Sequence, residues 1–298
     1  MKKILITGET SFIGQSVRRY LAQWPQDYQV DSISVRGDGW KTRSFRGYDV
    51  VLHAAGIVHQ SKTKDDPAQF ALYHQVNGLL SAAVGEKARA EGVGLFVFMS
   101  SESVYGLKAR VGQTVVITKD TPLLPKDNYG KSKLEAENLL RSLAGENFPV
   151  AVLRPPMIYG RGCKGNYTAL SRLAQSTPVF PKVDNRRSML YIENLAAFVK
   201  LLIDHPQGGV FCPQDPEYVD VGVMARRIAQ AHGKKLVLLP GVSWALKLLS
   251  PLVPAVDKAF GSLVYDRALS DSPGPYWVRN LEQAIAETEG AGEKEGSD

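Results

Sequence analysis

Residues 3–14 read KILITGETSFIG, which is a short apolar run, a turn with two glycines and the start of a helical pattern. An apolar run without alternation is typical of a strand buried on both faces of a parallel sheet. Glycines at the turn let the main chain approach a pyrophosphate at the positive end of the next helix. Gly8 and Gly14 hold the first and last glycine positions, whereas Ser11 occupies the middle one. The stretch therefore predicts a strand–turn–helix unit that binds a dinucleotide. The side chain of Ser11 is expected to shift the bound cofactor slightly.

Buried strands and helices alternate through the first half of the chain. Further strands are predicted at 29–35, 49–55, 95–100 and 149–154, and helices at 12–24, 68–90 and 129–143. Such alternation implies right-handed crossovers and a parallel sheet with helices on both faces. We therefore predict an α/β fold, a Rossmann-type doubly wound parallel sheet with a smaller C-terminal substrate domain.

The character of the sequence changes after residue 160, where loops rich in Gly, Pro and Asn begin. Helices are predicted near 167–176, 192–203 and 221–232. We assign residues 1–160 to the dinucleotide-binding Rossmann domain, to which 187–212 return, and residues 161–186 and 213–288 to a substrate-binding subdomain. The polar, glycine-rich residues 289–298 are predicted to form a disordered tail.

Composition narrows the class of protein. The 298 residues carry a net charge of +6 without the dense Lys/Arg clusters of a nucleic-acid-binding face. The two cysteines, Cys163 and Cys212, exclude a disulfide framework and give no metal-ligand spacing. No uncharged apolar run is long enough for a membrane span, so we expect none, and we expect a cytoplasmic location.

Among the apolar stretches of the chain, residues 242–256 come nearest to the composition of a membrane-associated segment. This stretch is interrupted by Lys247, Pro251 and Pro254. A membrane-surface helix and a partner-binding helix are both compatible with residues 244–249. Packing of these residues against the substrate domain is the interpretation that we favour.

Residues 129–133 read YGKSK, which places Tyr129 and Lys133 on one face of a predicted helix. A phenol has an unperturbed pKa near ~10 and is a poor base at neutral pH. A neighbouring ammonium and a cationic nicotinamide ring both favour the phenolate, so we expect them to lower the pKa of Tyr129. The phenolate can then accept a proton from a sugar hydroxyl as hydride leaves. Ser101, which follows the strand 95–100, is placed to help hold the reacting oxygen.

Together these motifs resemble the extended short-chain dehydrogenase/reductases, specifically the nucleotide-sugar epimerase/dehydratase family, over roughly residues 3–232. TGETSFIG departs from the family pattern at Ser11. The other similar segments are LHAAG at 52–56, VNG at 76–78, SSESVYG at 100–106, LRPPMIYG at 153–160, KGNY at 164–167 and RSMLYIEN at 187–194. The resemblance implies a NAD or NADP cofactor and no metal.

The resemblance also implies roles for individual residues. The catalytic set is Ser101, Tyr129 and Lys133. The cofactor-binding residues are Gly8, Thr10, Ser11, Phe12, Ile13, Gly14, Arg36, Ala54, Ala55, Gly56, Asn77, Tyr129, Lys133 and Pro156. The substrate-binding residues are Ser103, Asn166 and Arg187, the last as a planar cation that can grip two phosphate oxygens.

The end of the second strand bears on the choice of cofactor. An acid there favours NAD, whereas an arginine favours the 2′-phosphate of NADP. The chain reads Val35-Arg36-Gly37-Asp38, so Arg36 favours NADP while Asp38 can still reach a ribose. The choice between NAD and NADP stays open.

Several reactions share this set of residues. Family dehydratases carry an Asp-Glu pair after the catalytic hydroxyl, whereas here Glu102 is followed by Ser103, which disfavours dehydration. The leading hypothesis is a UDP-hexose 4-epimerase in surface-polysaccharide precursor synthesis, and the alternative is an NADPH-dependent 4-keto nucleotide-sugar reductase. A non-catalytic dinucleotide-binding sensor is disfavoured because the catalytic set is complete. A homodimer is the expectation from the fold.

Overall fold

The computed structural model describes residues 1–58 and 67–290. Its strands are β1 (Lys2–Thr7), β2 (Tyr28–Ile33), β3 (Val50–His53), β4 (Leu95–Met99), β5 (Thr114–Ile117), β6 (Val150–Leu153), β7 (Met157–Tyr159), β8 (Val179–Pro181), β9 (Met189–Tyr191), β10 (Gly209–Phe211), β11 (Val237–Leu239) and β12 (Ser262–Tyr265). Its α-helices are α1 (Phe12–Leu21), α2 (Gly39–Thr42), α3 (Pro67–Tyr73), α4 (Leu80–Ala90), α5 (Asn128–Leu143), α6 (Asn166–Ser176), α7 (Ile192–Asp204), α8 (Val221–Ala231), α9 (Ser243–Leu249), α10 (Pro254–Phe260) and α11 (Leu281–Glu289). A π-helix spans His74–Leu79, and 3-10 turns span Glu102–Tyr105 and Arg267–Ser270.

The central sheet is parallel, with the strand order β10-β6-β4-β3-β1-β2. Because β1 lies between β2 and β3, the chain winds first to one side of β1 and then to the other. Such a reversal opens a crevice at the carboxyl ends of the strands, where doubly wound sheets bind their ligands. The predicted Rossmann-type sheet is therefore confirmed, and the crevice lies where the glycine turn was expected to bind a dinucleotide.

Apolar side chains pack on both faces of the central sheet, as the sequence of β1 predicts. Ile4 and Ile6 belong to the apolar cluster with α1 and α7, whereas Leu5 belongs to the cluster with α4 and α5. All three side chains are completely buried. Removal of apolar surface from water is the dominant favourable term in folding, so this two-sided packing fixes the sheet that positions the crevice.

The C-terminal part of the chain forms short parallel strand pairs and a group of packed helices. β7 pairs with β9, β8 pairs with β11, and α8 packs against both α6 and α11. β12 pairs with β5, which comes from the range 1–160. The C-terminal chain thus returns to the first domain at this pair, and the exact domain boundaries remain a prediction.

The predicted tail 289–298 starts too early, because Glu289 is the last residue of α11. Its carboxylate accepts hydrogen bonds from the hydroxyls of Tyr167 at 2.7 Å and Ser171 at 2.9 Å. It also lies 2.8 Å from Nε2 of His232. Glu289 therefore joins α11 to α6 and to the end of α8, while residues 291–298 lie outside the described residues.

Several side chains of the apolar segment 242–256 are more exposed than in the interpretation favoured from the sequence. Helix α9 buries none of its side chains completely, and Trp244 and Leu248 are largely exposed. The expected packing of residues 244–249 against the substrate domain is therefore wrong for the outer face of this helix. None of the helices in the described part of the chain has the length and hydropathy needed to cross a membrane.

A buried ion pair joins α5 to the end of β6. Arg154 donates from Nε and Nη2 to the two carboxylate oxygens of Glu137, at 3.0 and 2.6 Å. Ser100 donates to the same carboxylate, and Nη1 of Arg154 donates to the hydroxyl of Tyr105 at 3.0 Å. A buried charge is tolerated only when it is paired and hydrogen-bonded, so each partner depends on the other.

We expect Arg154→Met to lower the free energy of unfolding by about 3–5 kcal/mol, because the variant leaves the carboxylate of Glu137 buried without its cation. Urea unfolding followed by circular dichroism measures the change. The control is Arg227→Met, which removes a 3.5 Å ion pair with the exposed Glu282 and should cost less than about 1 kcal/mol. Equal losses in the two variants would contradict the assigned role of the buried pair.

Candidate active site

The glycine turn after β1 lies against the loop after β3. Gly8 has a φ of +86°, and a β-carbon at this position would lie 2.8 Å from the main-chain nitrogen of Ala55. An L side chain would be strained at that φ and would clash with main-chain atoms, so the position requires glycine. This close contact fixes the turn at the mouth of the crevice.

Ser11, the residue at the middle position of the turn, caps α1. Its Oγ accepts a hydrogen bond from the main-chain N–H of Gly14 at 3.0 Å. The bond uses a lone pair of the hydroxyl and leaves its proton for donation to a phosphate oxygen. Phe12 and Ile13 form the first turn of α1, where N–H groups have no partner within the helix, and Thr10 is exposed beside them. These residues provide the donors that an anion requires.

The loop after β3 comes close to the buried end of Lys133. The main-chain N–H of Ala54 donates to the carbonyl of Thr7 at 3.2 Å, which continues the pairing of β1 and β3. A β-carbon at Gly56 would lie 3.1 Å from Oδ1 of Asn77 and 3.3 Å from Nζ of Lys133. Gly56 therefore leaves room for the amide and the ammonium below the loop.

Asn77, in the π-helix, joins this loop to α5. Its Oδ1 accepts from the main-chain N–H of Ile57 at 2.9 Å, and its Nδ2 donates to the carbonyl of Ile57 at 3.0 Å and to Oγ of Ser132 at 3.1 Å. The side chain is completely buried. Its observed contacts are thus with the protein scaffold, and the predicted contact of Asn77 with the cofactor stays a prediction.

Lys133 is a buried ammonium at the carboxyl end of β4. Its Nζ donates to the carbonyl of Met99 at 2.8 Å and lies 6.0 Å from the ring centroid of Tyr129. Burial lowers the pKa of Lys133 to about 8, and the negative charge of Glu137 acts in the opposite direction. The side chain is therefore a cation at neutral pH that releases its proton more readily than a lysine in water.

Tyr129 lies beside Ser101, as the sequence predicts. Burial raises the pKa of Tyr129 to about 12 and outweighs the hydrogen bond with Ser101, which lowers it. The expected lowering of this pKa is wrong for the protein by itself, because the phenolate loses more hydration than the surrounding groups restore. For Tyr129 to ionise near neutral pH, a further positive charge must therefore lie close to it in the crevice.

Close packing sets the start of α5 against the turn that follows β4. Asp127 caps the helix by accepting from the main-chain N–H of Gly130 at 2.8 Å. A β-carbon at Gly130 would lie 2.5 Å from the carbonyl oxygen of Ser103. Oγ of Ser101 donates to Oγ of Ser103 at 3.2 Å. This packing holds the hydroxyls of the turn next to Tyr129.

Pro156 lies in the segment LRPPMIYG, which was predicted to shape the nicotinamide pocket. It is buried between β6 and β7. The carbonyl of the preceding Pro155 accepts from the main-chain N–H of Glu102 at 3.1 Å. The segment is therefore tied to the serine turn, and both follow neighbouring strands of the sheet.

Arg36 and Asp38 lie in the exposed loop after β2. Asp38 forms an ion pair with Lys41 at 2.6 Å, in which both side chains are largely exposed. Such pairs contribute little to stability and are easily exchanged for other partners. The exposed loop thus presents both a cation and an acid at the position expected to contact the adenosine ribose.

The predicted substrate residues Asn166 and Arg187 lie on different elements. Asn166 is the exposed first residue of α6. Arg187 donates from Nη1 to the carbonyls of Lys258 at 2.6 Å and Gly261 at 3.3 Å. Burial lowers the pKa of Arg187, and the carboxylate of Glu102 acts in the opposite direction. Nη1 is thus engaged at the corner between α10 and β12, which leaves Nε and Nη2 for a ligand.

Glu102 is a candidate that the motifs did not single out. Burial raises its pKa to about 7, while the positive charge of Arg187 lowers it. A carboxyl group that titrates near neutrality beside a cation is often found at functional sites. Its place next to Ser101 was visible in the sequence, but its burial and its proximity to Arg187 are products of the tertiary structure.

The residues of the crevice fit a nicotinamide dinucleotide. The glycine turn leaves the main chain uncovered at the N-terminus of α1, where a diphosphate is stabilised. Ser101, Tyr129 and Lys133 lie together at the carboxyl end of β4, where they can bind and deprotonate a hydroxyl group. Within residues 1–58 and 67–290, no cluster of three or more His, Cys, Asp or Glu side chains is placed to hold a metal ion.

Comparison with known proteins gives one family match and several relatives. The model of the NAD dependent epimerase/dehydratase family matches residues 4–222. UDP-glucose 4-epimerase of Vibrio cholerae is 33% identical over 291 residues, which covers 89% of this chain and 87% of that protein. N-acetyl-alpha-D-glucosaminyl-diphospho-ditrans,octacis-undecaprenol 4-epimerase of Escherichia coli O157:H7 is 25% identical and covers 78% of this chain and 73% of that protein.

Solved structures confirm the fold. UDP-glucuronic acid 4-epimerase from Bacillus cereus in complex with NAD is 19% identical, with a TM-score of 0.71 and coverage of 97% of this chain and 98% of that chain. RMD from Pseudomonas aeruginosa complexed with NADPH is 20% identical, with a TM-score of 0.73 and coverage of 98% of this chain and 99% of that chain. At this identity the likeness shows the architecture alone.

The burial of Lys133 predicts a pH-dependent difference between the wild type and Lys133→Met. The unfolded chain keeps the lysine proton up to a pKa of about 10.5, whereas the folded protein releases it from about pH 8. The wild type should therefore gain up to about 3 kcal/mol of stability over the variant between pH 8 and pH 10.5. Urea unfolding of both proteins across this range measures the difference.

Lys131→Met is the matched control, because Lys131 is exposed on the same helix. Its substitution removes a lysine from the surface of α5 and leaves the buried charges of the crevice in place, so it controls for the general effect of Lys→Met on this helix. A difference between wild type and Lys133→Met that does not vary with pH would show that the ammonium is not desolvated.

Proposed function

Because the chain belongs to the NAD dependent epimerase/dehydratase family and is an NAD(P)-dependent enzyme of the extended short-chain dehydrogenase/reductase type, we propose that it is a UDP-hexose 4-epimerase. The proposed reaction is a transient hydride transfer at C4 of the sugar. The observation that carries the proposal is the placing of Ser101, Tyr129 and Lys133 together at the carboxyl end of β4. The identity to the Vibrio cholerae epimerase supports the reaction and the sugar class.

In the proposed reaction, Tyr129 accepts the proton of the C4 hydroxyl and returns it after the keto sugar has turned over. The bound dinucleotide supplies a hydride acceptor and donor. Ser101, which is hydrogen-bonded to Tyr129, holds the reacting oxygen. Lys133 adds positive charge behind the phenol and so favours its ionised form. Positioned acid–base catalysis of this kind contributes typically ~10²–10⁴-fold.

On the substrate side, we assign the diphosphate to Arg187, whose Nε and Nη2 can donate to phosphate oxygens. Asn166 and Ser103 are assigned to the remaining polar groups of the nucleotide sugar. Glu102 follows the catalytic Ser101 and interacts electrostatically with Arg187, and its carboxyl can exchange hydrogen bonds with the sugar. These assignments place the sugar at the serine turn and the diphosphate towards α10.

On the cofactor side, we assign the pyrophosphate to the turn from Gly8 to Gly14, including Ser11 and the N–H groups of Phe12 and Ile13. The loop Ala54–Gly56, the start of α5 and Pro156 are assigned to the nicotinamide half. Arg36 favours NADP over NAD. Asn77 acts on the cofactor through the loop that it holds.

A 4-keto nucleotide-sugar reductase is the second candidate. It performs half of the epimerase reaction with a fresh reduced cofactor, so it requires the same Ser101, Tyr129 and Lys133. Arg36 at the ribose position is the observation that favours it, because such reductases use NADPH. We further propose a homodimer and a place in surface-polysaccharide precursor synthesis. A non-catalytic sensor is disfavoured by the complete catalytic set.

Incubation of the purified protein with UDP-glucose and no added cofactor separates the two enzymes. We expect UDP-galactose to accumulate, because an epimerase recycles its bound cofactor within each turnover. Nuclear magnetic resonance of the anomeric protons measures both sugars. Stoichiometric consumption of NADPH with a 4-keto UDP-sugar, and no interconversion of UDP-hexoses, would instead establish the reductase.

Tyr129→Phe removes the proton acceptor but keeps the ring. We expect turnover to fall by about 10²–10⁴-fold, with the affinity for NAD(P)(H) within about a factor of two. Tyr20→Phe, which removes a hydroxyl from α1 outside the catalytic set, should retain full turnover. Wild-type turnover in Tyr129→Phe would exclude the phenol as the catalytic base.

A further inference from the structure

A stripe of apolar side chains runs along the outer face of α9 and the turn that follows it. Trp244, Leu248 and Leu252 repeat at every fourth residue and are 67%, 68% and 80% exposed. Leu249 and Val253 flank them and are also exposed. Residues four apart share one face of a helix, and the main-chain N–H of Val253 bonds to the carbonyl of Leu249 at 2.9 Å, which continues the helical turn. We call these five residues the α9 surface.

The chain beneath the α9 surface is firmly attached to the rest of the molecule. Phe260, at the end of α10, packs on Phe180 with ring centroids 5.7 Å apart. Asp257 accepts from the main-chain N–H of Val111 at 2.9 Å. Ser250, on the inner side of the stripe, is buried. The exposure of the α9 surface is therefore a property of the folded protein, and large exposed apolar groups in one place mark an interaction site.

The segment of the chain that contains the α9 surface is basic. The stretch 234–258 carries four lysines and one aspartate, and that aspartate is engaged by a main-chain N–H. Lys247 and Lys258 lie on α9 and α10 themselves, and both are exposed. The neighbouring Arg110 is exposed as well. The four lysines therefore outnumber the single acid of this stretch.

This combination of side chains fits the surface of an anionic bilayer. Tryptophan and leucine enter the region between headgroups and acyl chains, while long lysine side chains extend to the phosphates. A second protein would instead be expected to cover a surface whose centre is depleted in lysine. Lys247 lies only three residues from Trp244 and one from Leu248, which favours lipid over protein.

We propose that the α9 surface docks the folded protein onto an anionic lipid bilayer. Trp244, Leu248 and Leu252 insert among the headgroups, and Lys247 and Lys258 contact lipid phosphates. The attachment is interfacial and needs no membrane-spanning helix. It is independent of the sugar on which the enzyme acts.

The α9 surface is close to the part of the proposed site that is assigned to the substrate diphosphate. Nη1 of Arg187 bonds to the carbonyl of Lys258, so one hydrogen bond separates the docking helices from the residue assigned to the diphosphate. A docked molecule therefore holds the diphosphate end of its substrate cleft near the bilayer. This consequence rests on the proposed function, whereas the docking itself does not.

Co-sedimentation of the full chain with vesicles tests the proposal. Vesicles of phosphatidylglycerol and phosphatidylethanolamine in equal parts are compared with vesicles of phosphatidylcholine alone. We expect binding to the anionic vesicles that weakens with added salt, because screening reduces the attraction between lysines and lipid phosphates. The triple variant Trp244→Ser/Leu248→Ser/Leu252→Ser should bind at least about tenfold more weakly.

Two further variants separate the contributions. Lys247→Glu keeps the apolar stripe and should weaken binding to anionic vesicles while leaving binding to phosphatidylcholine unchanged. Leu173→Ser removes an exposed leucine of α6, outside the α9 surface, and should bind as the wild type does. The triple variant should retain the wild-type turnover of soluble UDP-hexoses and the wild-type mass by light scattering.

The outcomes are distinguishable. Equal vesicle binding by the wild type and the triple variant, or no binding by either, overturns the docking proposal. A smaller mass for the triple variant also overturns it, because the surface would then be covered by a second copy of the chain. Loss of vesicle binding with unchanged turnover supports docking, and absence of turnover in every protein bears only on the proposed function.

Discussion

The burial of one ammonium group is the constraint on which the candidate site depends. Lys133 is held under the crevice by the carbonyl of Met99 and by the negative charge of Glu137. A buried cation is costly unless such partners are present. Glu137 is in turn neutralised by Arg154. The positive charge behind Tyr129 thus belongs to a chain of buried charges that runs from α5 to β6.

This constraint explains why the parts of the site are packed so closely. Gly56 has no side chain above the ammonium, Asn77 fixes the loop over it, and Gly130 lets α5 approach the serine turn. Close packing excludes water, which strengthens electrostatic interactions in the crevice. The same exclusion raises the pKa of Tyr129. The protein by itself therefore holds a phenol that becomes a base only beside an added positive charge.

Much of the fold followed from local patterns. The apolar runs at β1 and β4 and the helix signals before α1 and α5 predicted the sheet and its crevice, because burial on both faces leaves a plain trace in sequence. The motifs also predicted that Ser101 and Tyr129 would lie together. In the protein by itself the pKa of Tyr129 is raised, against the expected lowering, because burial is a sum over neighbours from the whole chain.

The sequence alone determined the central strands β1, β2, β3, β4 and β6, the glycine turn and the Tyr129–Lys133 pair, since each depends on residues close together along the chain. Only the tertiary structure decided which charges are buried and which apolar side chains stay exposed. Glu137 and Arg154 are 17 residues apart and meet because α5 packs on β6. Trp244 and Leu248 read as core residues in the sequence, yet their helix lies at the surface with its apolar face outward. An apolar pattern can show that a face is suited to burial, but whether another element covers that face depends on the rest of the chain.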